Sequence, residues 1–224
     1  MSDQVLLWHF GKIEVMKLSQ LELIERYSKK QTNKLGPYAW SHVRRVYRIC
    51  LRMAKTENEN RVDLDVLEAA ALLHDVGKYI EKSDPETDHG LIGARMAEDI
   101  LKKCGFEMEK MKSVSHAIRA HTHAVEPNLV EARILHDADY IDKVGAVGVA
   151  TILIKACLSD ATIEEVLETF NSGEQGESPV AKHIGQIRKP HLYTNTARKV
   201  VARRNQTVVK FFSQLKKELE LRDF

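Results

Sequence analysis

Hydrophobic side chains recur along most of this chain at intervals of three and four residues, which is the spacing of one face of an α-helix. The pattern predicts helices over these segments: 16–30, near Ser41 to about Met53, 66–79, 89–103, 108–122, a long helix from after Pro127 to Leu158 that Gly145 and Gly148 loosen, and about 25 residues from Thr194. Polar loops are expected at 56–63, 80–88 and 171–182. Every periodic segment favours the helical period of 3.6 over the strand period of 2, so we predict an all-α fold.

Composition and charge narrow the class of protein. The 224 residues include only 11 glycines and 5 prolines, which suits long helices, and the length suits a single domain over 1–224. The formal net charge is +2, so we expect neither a polymeric nucleic acid nor a membrane as partner. No apolar run reaches the roughly 18 residues of a membrane span, and the N-terminus lacks a signal-peptide pattern. Three scattered cysteines (Cys50, Cys104 and Cys157), expected to be buried and reduced, agree with a cytoplasmic protein.

Two histidines and an aspartate carry the first candidate chemistry. His42 shares the apolar stripe of its helix with Val46 and Met53, so its imidazole faces inward. His74 and Asp75 follow one another near the end of the next helix and also face its apolar side. A buried carboxylate is costly unless it is paired or binds a cation, and imidazole with carboxylate ligands suits a divalent transition metal. The alternative is that both histidines are ordinary hydrogen-bonded core residues.

An acidic cluster, HDADYID at 136–142, offers a further ligand. Asp137 and Asp139 lie about 200° apart around a helix, so only one of them can point at the same ion. Helical periodicity does not choose between them. The structural alternative for this segment is a solvated acidic face.

The order His42, His74-Asp75 and a later Ala-Asp pair resembles the H…HD…D pattern of the HD superfamily of metal-dependent phosphohydrolases. The stretch AALLHDVGKY is similar to the signature of that family. The resemblance implies a helical bundle with a metal site in its core, whose ligands are His42, His74, Asp75 and Asp139. Asp137 would then lie behind the ligands or on the side of the substrate.

The resemblance extends over nearly the whole chain. It points to a branch of small single-domain HD hydrolases, some of them nucleoside-triphosphate pyrophosphohydrolases, through the segments 41–46, 117–123, 131–150 and 193–219. It implies an HD core at about 38–145, with C-terminal helices at 146–224 packing on it. The sequence contains no GYP motif, which argues against a cyclic-dinucleotide phosphodiesterase.

The implied activity is metal-dependent hydrolysis of a small phosphorylated metabolite, with a nucleotide favoured, by a water that the ion activates. Within that class a nucleoside triphosphate is favoured over a monophosphate. Two nitrogen and two carboxylate ligands admit Mn, Fe, Co, Ni, Zn or Mg. A homo-oligomer is compatible with the sequence.

Five residues are expected to serve this reaction beside the ligands or through them. Asp75, Lys78 and His121 are the expected catalytic residues, although the general acid is unassigned. Arg45, Lys78 and Lys143 are expected to bind phosphate oxygens, because each follows a ligand by three or four residues on a helix. The alternative for each cation is a solvated surface charge.

His89 and His121 have three open roles: ligands of a second metal ion, phosphate binding with proton transfer, or structural residues. A second ion would make the protein a two-metal phosphodiesterase or dinucleotide-polyphosphate hydrolase. A rival of another class is a metal- and nucleotide-binding module without turnover. Among the remaining histidines, His116 and His123 are expected to lie on the surface. No group of other candidate site residues is expected around His9, His183 and His191.

Overall fold

A computed structural model describes residues 11–57, 62–173, 176–188 and 190–224 of the chain, with side chains from Gln20 onward. His9 lies outside these residues. The described ranges contain helices and no strand, which confirms the all-α prediction. The helices are α1 (Gly11–Thr32), α2 (Pro37–Ala54), α3 (Leu64–Leu73), α4 (Lys78–Ser83), α5 (His89–Lys103), α6 (Met108–Ala120), α7 (Val130–Asp142), α8 (Gly145–Leu158), α9 (Ile163–Ser172), α10 (Pro179–Arg188) and α11 (Asn195–Leu219).

The predicted helix 66–79 is interrupted: α3 ends at Leu73, a turn covers residues 74–77, and residues 78 and 79 belong to the next helix. Two hydrogen bonds of the tight-turn type follow, from Val76 N to the Leu73 carbonyl (3.2 Å) and from Lys78 N to the Asp75 carbonyl (3.1 Å). Helix α4 then extends to Ser83, through residues 80–83 that were predicted to be part of a loop. The turn lets α5 approach closely, since a Cβ atom on Gly77 would lie 2.5 Å from the His89 carbonyl oxygen.

The predicted helix from after Pro127 to Leu158 is two helices. Helix α7 ends at Asp142 and α8 begins at Gly145, whose φ of +76° lies in the left-handed region that glycine tolerates. Helix α2 begins at Pro37 instead of near Ser41, because proline fits the first turn of a helix. The final helix is confirmed: the Thr194 side chain accepts a hydrogen bond from Ala197 N and caps 25 helical residues.

The chain divides into two compact units, one that ends at His136 and one that comprises Asp137–Phe224. In the first unit, α3 is buried along seven of its ten residues and packs against α1, α2, α5 and α6. In the second unit, α8 packs against α9, α10 and α11. Helix α7 contributes residues to both units. The predictions of a single domain, and of an HD core at 38–145 with 146–224 packing on it, stay predictions.

Two expectations drawn from composition can be compared with the structure. Among the described helices, none has the combined length and hydropathy that crossing a bilayer would require. All three cysteines carry free thiols. Cys50 is buried as expected, Cys104 is half-buried, and Cys157 is exposed, so the expectation of burial is wrong for Cys157.

Candidate metal centre

The first unit brings His42, His74 and Asp75 together. His42 extends from α2, while His74 and Asp75 follow the last residue of the buried helix α3, and neither of them is more than 3% exposed. The Nε2 atoms of His42 and His74 are 3.4 Å apart. Oδ2 of Asp75 lies 3.6 Å from the first and 3.8 Å from the second. Three potential ligand atoms from two helices therefore converge on one point, as the sequence predicts.

A second group of ligand atoms uses the other oxygen of Asp75. Oδ1 lies 3.5 Å from Nε2 of His89 and 3.8 Å from Nε2 of His121, and these two nitrogens are 3.2 Å apart. His89 is the first residue of α5, and His121 directly follows α6. The two histidines therefore share Asp75 with the first group, and this sharing favours a ligand or substrate role over a purely structural one.

Hydrogen bonds donated by Nδ1 orient three of these imidazoles. Nδ1 of His74 lies 2.8 Å from the carbonyl oxygen of Ala71, and Nδ1 of His121 lies 2.5 Å from the carbonyl oxygen of Ile118. Nδ1 of His89 lies 2.8 Å from Oε1 of Glu81. Because these oxygens can only accept, each Nδ1 must carry the proton. With Nδ1 donating, the Nε2 atom of each ring is directed toward Asp75.

Glu81 is a site residue that the sequence analysis missed, because α4 was predicted to be a loop. Burial raises its pKa, but the hydrogen bond from Nδ1 of His89 and the other groups around the carboxylate together outweigh burial and lower that pKa. A carboxylate that accepts from the far nitrogen of a histidine is a common partner of metal-binding histidines, since it fixes the ring and makes the ligating nitrogen more basic.

The donor set fits a divalent metal ion. The Nε2 atoms of His74, His89 and His121 face the Asp75 carboxylate, and a divalent cation bound between these groups would offset the repulsion among their lone pairs. Mixed nitrogen and oxygen ligands at hydrogen-bonding separations suit Mn, Fe, Co, Ni or Zn. The predicted site therefore has the chemistry that its proposed ion requires.

Lys78 supplies one positive charge to the cluster. Its Nζ lies 3.1 Å from Oδ1 and 2.9 Å from Oδ2 of Asp75, and its side chain is partly exposed. Burial alone would raise the pKa of Asp75, but the Lys78 ammonium and the other groups around the carboxylate together outweigh burial and hold this pKa well below its usual range. Asp75 is thus ionised at neutral pH, as a metal ligand would need to be.

The acidic cluster at 136–142 is not a solvated face. Asp137, Asp139 and Asp142 are each at most 5% exposed. Both oxygens of Asp137 lie 3.1 Å from Tyr193 N, and Oδ2 also accepts from Thr194 N and from the Thr194 hydroxyl at 2.7 Å each. Asp137 therefore anchors the start of α11, which supports Asp139 as the predicted ligand of this segment.

The predicted phosphate-binding cations occupy different settings. Lys143 Nζ lies 2.6 Å from Oδ2 of Asp139, so this pair in the second unit repeats the arrangement of Lys78 on Asp75. Arg45 donates to the Ser41 hydroxyl at 2.7 Å. Their roles in binding phosphate, and that of Asp139 as a ligand, stay predictions.

The remaining histidines divide between surface and interior. His123 is exposed as predicted, yet its Nε2 lies 3.1 Å from Nε2 of the buried His136. His116 is partly exposed, which is compatible with the predicted surface position, and it accepts a hydrogen bond from Asn128 N at 3.2 Å. Burial, followed by the charge of Arg119, lowers the pKa of His116.

His183 and His191 were expected to have no group of polar or charged residues around them. This expectation is wrong for His183, which is 2% exposed and lies between Lys155 and the carbonyl group of Lys143. The exposed ring of His191 contacts the edge of Tyr193 at 4.8 Å between centroids.

A comparison with protein families identifies this arrangement. The family model of the HD domain matches residues 39–144, a segment that holds both ligand groups of the first unit as well as Asp139. The chain thus contains an HD domain over these residues. It is therefore a metal-dependent hydrolase, and the resemblance seen in the sequence is confirmed.

Similar proteins span almost the whole chain. The uncharacterized protein YpgQ of Bacillus subtilis is 27% identical over 210 residues, which are 91% of this chain and 95% of YpgQ. A predicted HD-superfamily hydrolase from an uncultured Thermotogales bacterium is 26% identical and superposes with a TM-score of 0.64, covering 94% of this chain and 99% of that one.

Two other likenesses carry less weight. The structure of YpgQ in complex with ADP has a TM-score of 0.66 at 23% identity over 91% of this chain and 96% of YpgQ, which shows a common fold. Ribonuclease Y of Rubrobacter xylanophilus is 37% identical over 112 residues, half of this chain. The chain spans only 20% of the length of Ribonuclease Y, so this likeness is confined to one region of that protein.

Proposed function

We propose that this HD-superfamily hydrolase cleaves a phosphate ester or anhydride bond of a small metabolite, and that His42, His74, Asp75 and Asp139 hold its divalent ion. The convergence of Nε2 atoms from His42 and His74 on an ionised Asp75 carries the proposal. When bound, a divalent ion lowers the pKa of a coordinated water and offsets the negative charge on a phosphoryl oxygen.

A nucleotide is the favoured substrate, and within that class a nucleoside triphosphate. The crystallised complex of YpgQ with ADP supports a nucleotide, and the similarity to nucleoside-triphosphate pyrophosphohydrolases in the sequence favours the triphosphate. Lys78 reaches the cluster from a partly exposed position, so its ammonium is suited to contact a phosphate oxygen while it remains beside Asp75. Arg45 and Lys143 are proposed to add further positive charge.

Residues around the cluster control the protons in this proposal. The charges around Asp75 keep it ionised, so it cannot supply a proton at neutral pH. The protonated Nδ1 of His121 is committed to the Ile118 carbonyl, which leaves its Nε2 to accept a proton or to bind an ion. We therefore assign His121 to proton acceptance, and assign Lys78 to charge stabilisation near the leaving group.

The test is hydrolysis of a substrate panel by protein loaded with Mn²⁺, Co²⁺ or Mg²⁺. The panel contains nucleoside triphosphates, monophosphates, a dinucleotide polyphosphate and an RNA oligonucleotide, with release of phosphate, pyrophosphate or nucleotide as the signal. We expect metal-dependent cleavage of a triphosphate and at least a ~10³-fold loss in His74→Gln and Asp75→Asn. Asp160→Asn, at an exposed carboxylate, is the matched control. Full activity of metal-loaded Asp75→Asn would contradict the assignment.

A second candidate function uses two ions. The group of Asp75, His89 and His121 offers ligand atoms for a second ion, and Glu81 orients one of its histidines. Two ions would favour cleavage of a phosphodiester or of a dinucleotide polyphosphate. Metal analysis of the purified protein distinguishes the two schemes. About one equivalent of metal per chain supports the single ion. About two equivalents, reduced to one in the His89→Gln variant, support the pair of ions.

The same panel tests the alternative of a binding module without turnover. Tight binding of a nucleotide by the metal-loaded protein, with no product after prolonged incubation, would support the module. Such a result would also contradict the hydrolytic proposal, because the proposed ligands would be occupied and substrate present.

A further inference from the structure

The strongest unexplained polar group in the second unit is His183 on α10. It is 2% exposed, and both of its ring nitrogens have partners. Nδ1 lies 3.1 Å from Nζ of Lys155, and Nε2 lies 3.0 Å from the carbonyl oxygen of Lys143. The proposed function described above does not involve this histidine.

The partners of His183 determine its tautomer. An ammonium group can only donate, so Nδ1 of His183 accepts from Lys155 and the proton lies on Nε2, which donates to the Lys143 carbonyl. Burial, followed by the charge of Lys155, lowers the pKa of His183 to about 3. The ring is therefore neutral under ordinary conditions, and its single proton is used to bind the backbone of Lys143.

The end of α7 requires such partners, because the last carbonyl groups of a helix lack partners within it. Arg204 Nη1 donates a hydrogen bond to the Ile141 carbonyl at 2.7 Å. His183 Nε2 donates one to the carbonyl of Lys143, which lies just beyond the helix. Gly148 makes room for this second bond, since a Cβ atom there would overlap the Lys143 carbonyl group. Tyr140 fixes α10 in turn by donating to the Ile187 carbonyl at 2.9 Å.

The side chain of Lys143 begins at this immobilised backbone and ends at Asp139. Its Nζ lies 2.6 Å from Oδ2 of that carboxylate, which is the proposed fourth ligand. A shift of the Lys143 backbone would change where the ammonium lies relative to a bound phosphate.

We propose that His183 is a positioning residue: oriented by Lys155, it holds the Lys143 backbone so that the lysine ammonium stays at Asp139, where it binds phosphate oxygens. This inference rests on the proposed function, because it assigns the ion to Asp139 and the phosphate to Lys143. His183 itself touches neither.

The test compares His183→Phe, which removes both hydrogen bonds at similar volume, with His183→Gln, whose amide can accept from Lys155 and donate to Lys143. The readouts are the Kd of inorganic pyrophosphate for the Mn²⁺-loaded protein and, where turnover is present, kcat/KM. We expect about 10-fold weaker pyrophosphate binding in His183→Phe and near-complete recovery in His183→Gln. Lys155→Met should give part of the loss, with Lys182→Met on the exposed side of α10 as its control.

A double-mutant cycle decides whether His183 acts through Lys143. If it does, Lys143→Met combined with His183→Phe binds pyrophosphate no more weakly than Lys143→Met alone. Additive losses, or a His183→Gln protein as impaired as His183→Phe, overturn the positioning role. Failure of the proposed function would give different results: no substrate of the panel would be cleaved, or the Asp75→Asn protein would keep full activity. A wild-type protein that binds no pyrophosphate overturns the inference by itself.

Discussion

The ammonium nitrogen of Lys78 lies 2.9 Å from the Oδ2 atom of Asp75. This ion pair is almost closed to solvent on the carboxylate side, where the Asp75 side chain is 4% exposed. The pair places a positive charge in contact with a proposed metal ligand before any ion binds. It therefore affects both the protonation of Asp75 and the stability of the metal-free protein.

Replacing Lys78 by methionine is expected to reduce the stability of the metal-free protein mostly above about pH 4. The pKa of Asp75 is well below 3.8 in the folded state, so its ionised form stabilises the fold above that pH, and this stabilisation is lost as the pH falls through the folded-state pKa. Without Lys78 the pKa of Asp75 in the folded state rises, so acidification removes less stabilisation from the variant than from the wild type. Urea unfolding with a chelator present, at about pH 7, 4 and 3, measures the difference.

The control for that experiment is Lys82→Met, at an exposed position on the same helix. The gap in unfolding free energy between wild type and Lys78→Met should narrow as the solution is acidified. A gap that stays constant over the whole pH range would show that the ion pair does not govern the protonation of Asp75.

Gly77→Ala is expected to disturb the metal centre through the backbone. A Cβ atom there would lie 2.5 Å from the His89 carbonyl oxygen and 2.7 Å from Gly93 N, and these backbone atoms cannot move without moving α5. We expect a loss of about 1–3 kcal/mol in the free energy of unfolding and weaker Mn²⁺ binding, because Gly77 lies in the same turn as Asp75. Calorimetric titration and urea unfolding provide the two measurements.

Gly93→Ala is the matched control for Gly77→Ala. It faces the same turn, but its Cβ atom would meet nothing closer than 3.4 Å, which is ordinary contact. Alanine is also the better helix former, so Gly93→Ala should be neutral or slightly stabilising. Equal effects of the two substitutions would refute the steric argument.

The residues that converge in the first unit could be predicted from the sequence because they follow local rules. His42 lies on the apolar stripe of an amphipathic helix, and the His74-Asp75 pair ends a nearly continuous apolar run. The break after Leu73 could not be found in the same way. It depends on α5 approaching Gly77, a tertiary contact without a local signal.

The missed residues have partners that are distant along the chain or have no side-chain signature. Lys155 and His183 are separated by 28 residues, and the second partner of His183 is a backbone carbonyl 40 residues away. Glu81 was missed because the helix that carries it was taken for a loop. Periodicity shows which way a side chain faces within its helix, but it does not show what that side chain meets.

Asp137 and Asp139 are expected to respond differently to the loss of their charge. Asp137→Ala removes the acceptor for Tyr193 N, Thr194 N and the Thr194 hydroxyl, at a cost of about 1–3 kcal/mol for each buried donor left unsatisfied. Asp137→Asn keeps one acceptor oxygen and should be less damaging. Under our assignment only Asp139→Asn weakens Mn²⁺ binding strongly in a protein that remains folded.

Thermal unfolding and Mn²⁺ titration of the same variants provide the comparison, with the exposed Asp160→Asn as control for charge. A folded Asp137→Asn protein that has lost Mn²⁺ binding, beside an Asp139→Asn protein that retains it, would reverse the assignment of the two aspartates.

His183 gives the protein a dependence of stability on pH that is separate from the metal ligands. The pKa of this histidine is 6.5 in the unfolded chain and about 3 in the fold, where burial and then the Lys155 ammonium disfavour the charged ring. Between these values the unfolded chain binds a proton that the folded chain does not, so the free energy of unfolding falls as the pH falls. The slope for one proton is about 1.4 kcal/mol per pH unit.

His183→Gln removes this titration, so from about pH 7.5 to pH 5 the wild type should lose roughly 2 kcal/mol of unfolding free energy relative to the variant, measured by urea unfolding with a chelator present. Parallel stability curves for the two proteins would mean that His183 is protonated alike in the folded and unfolded chains.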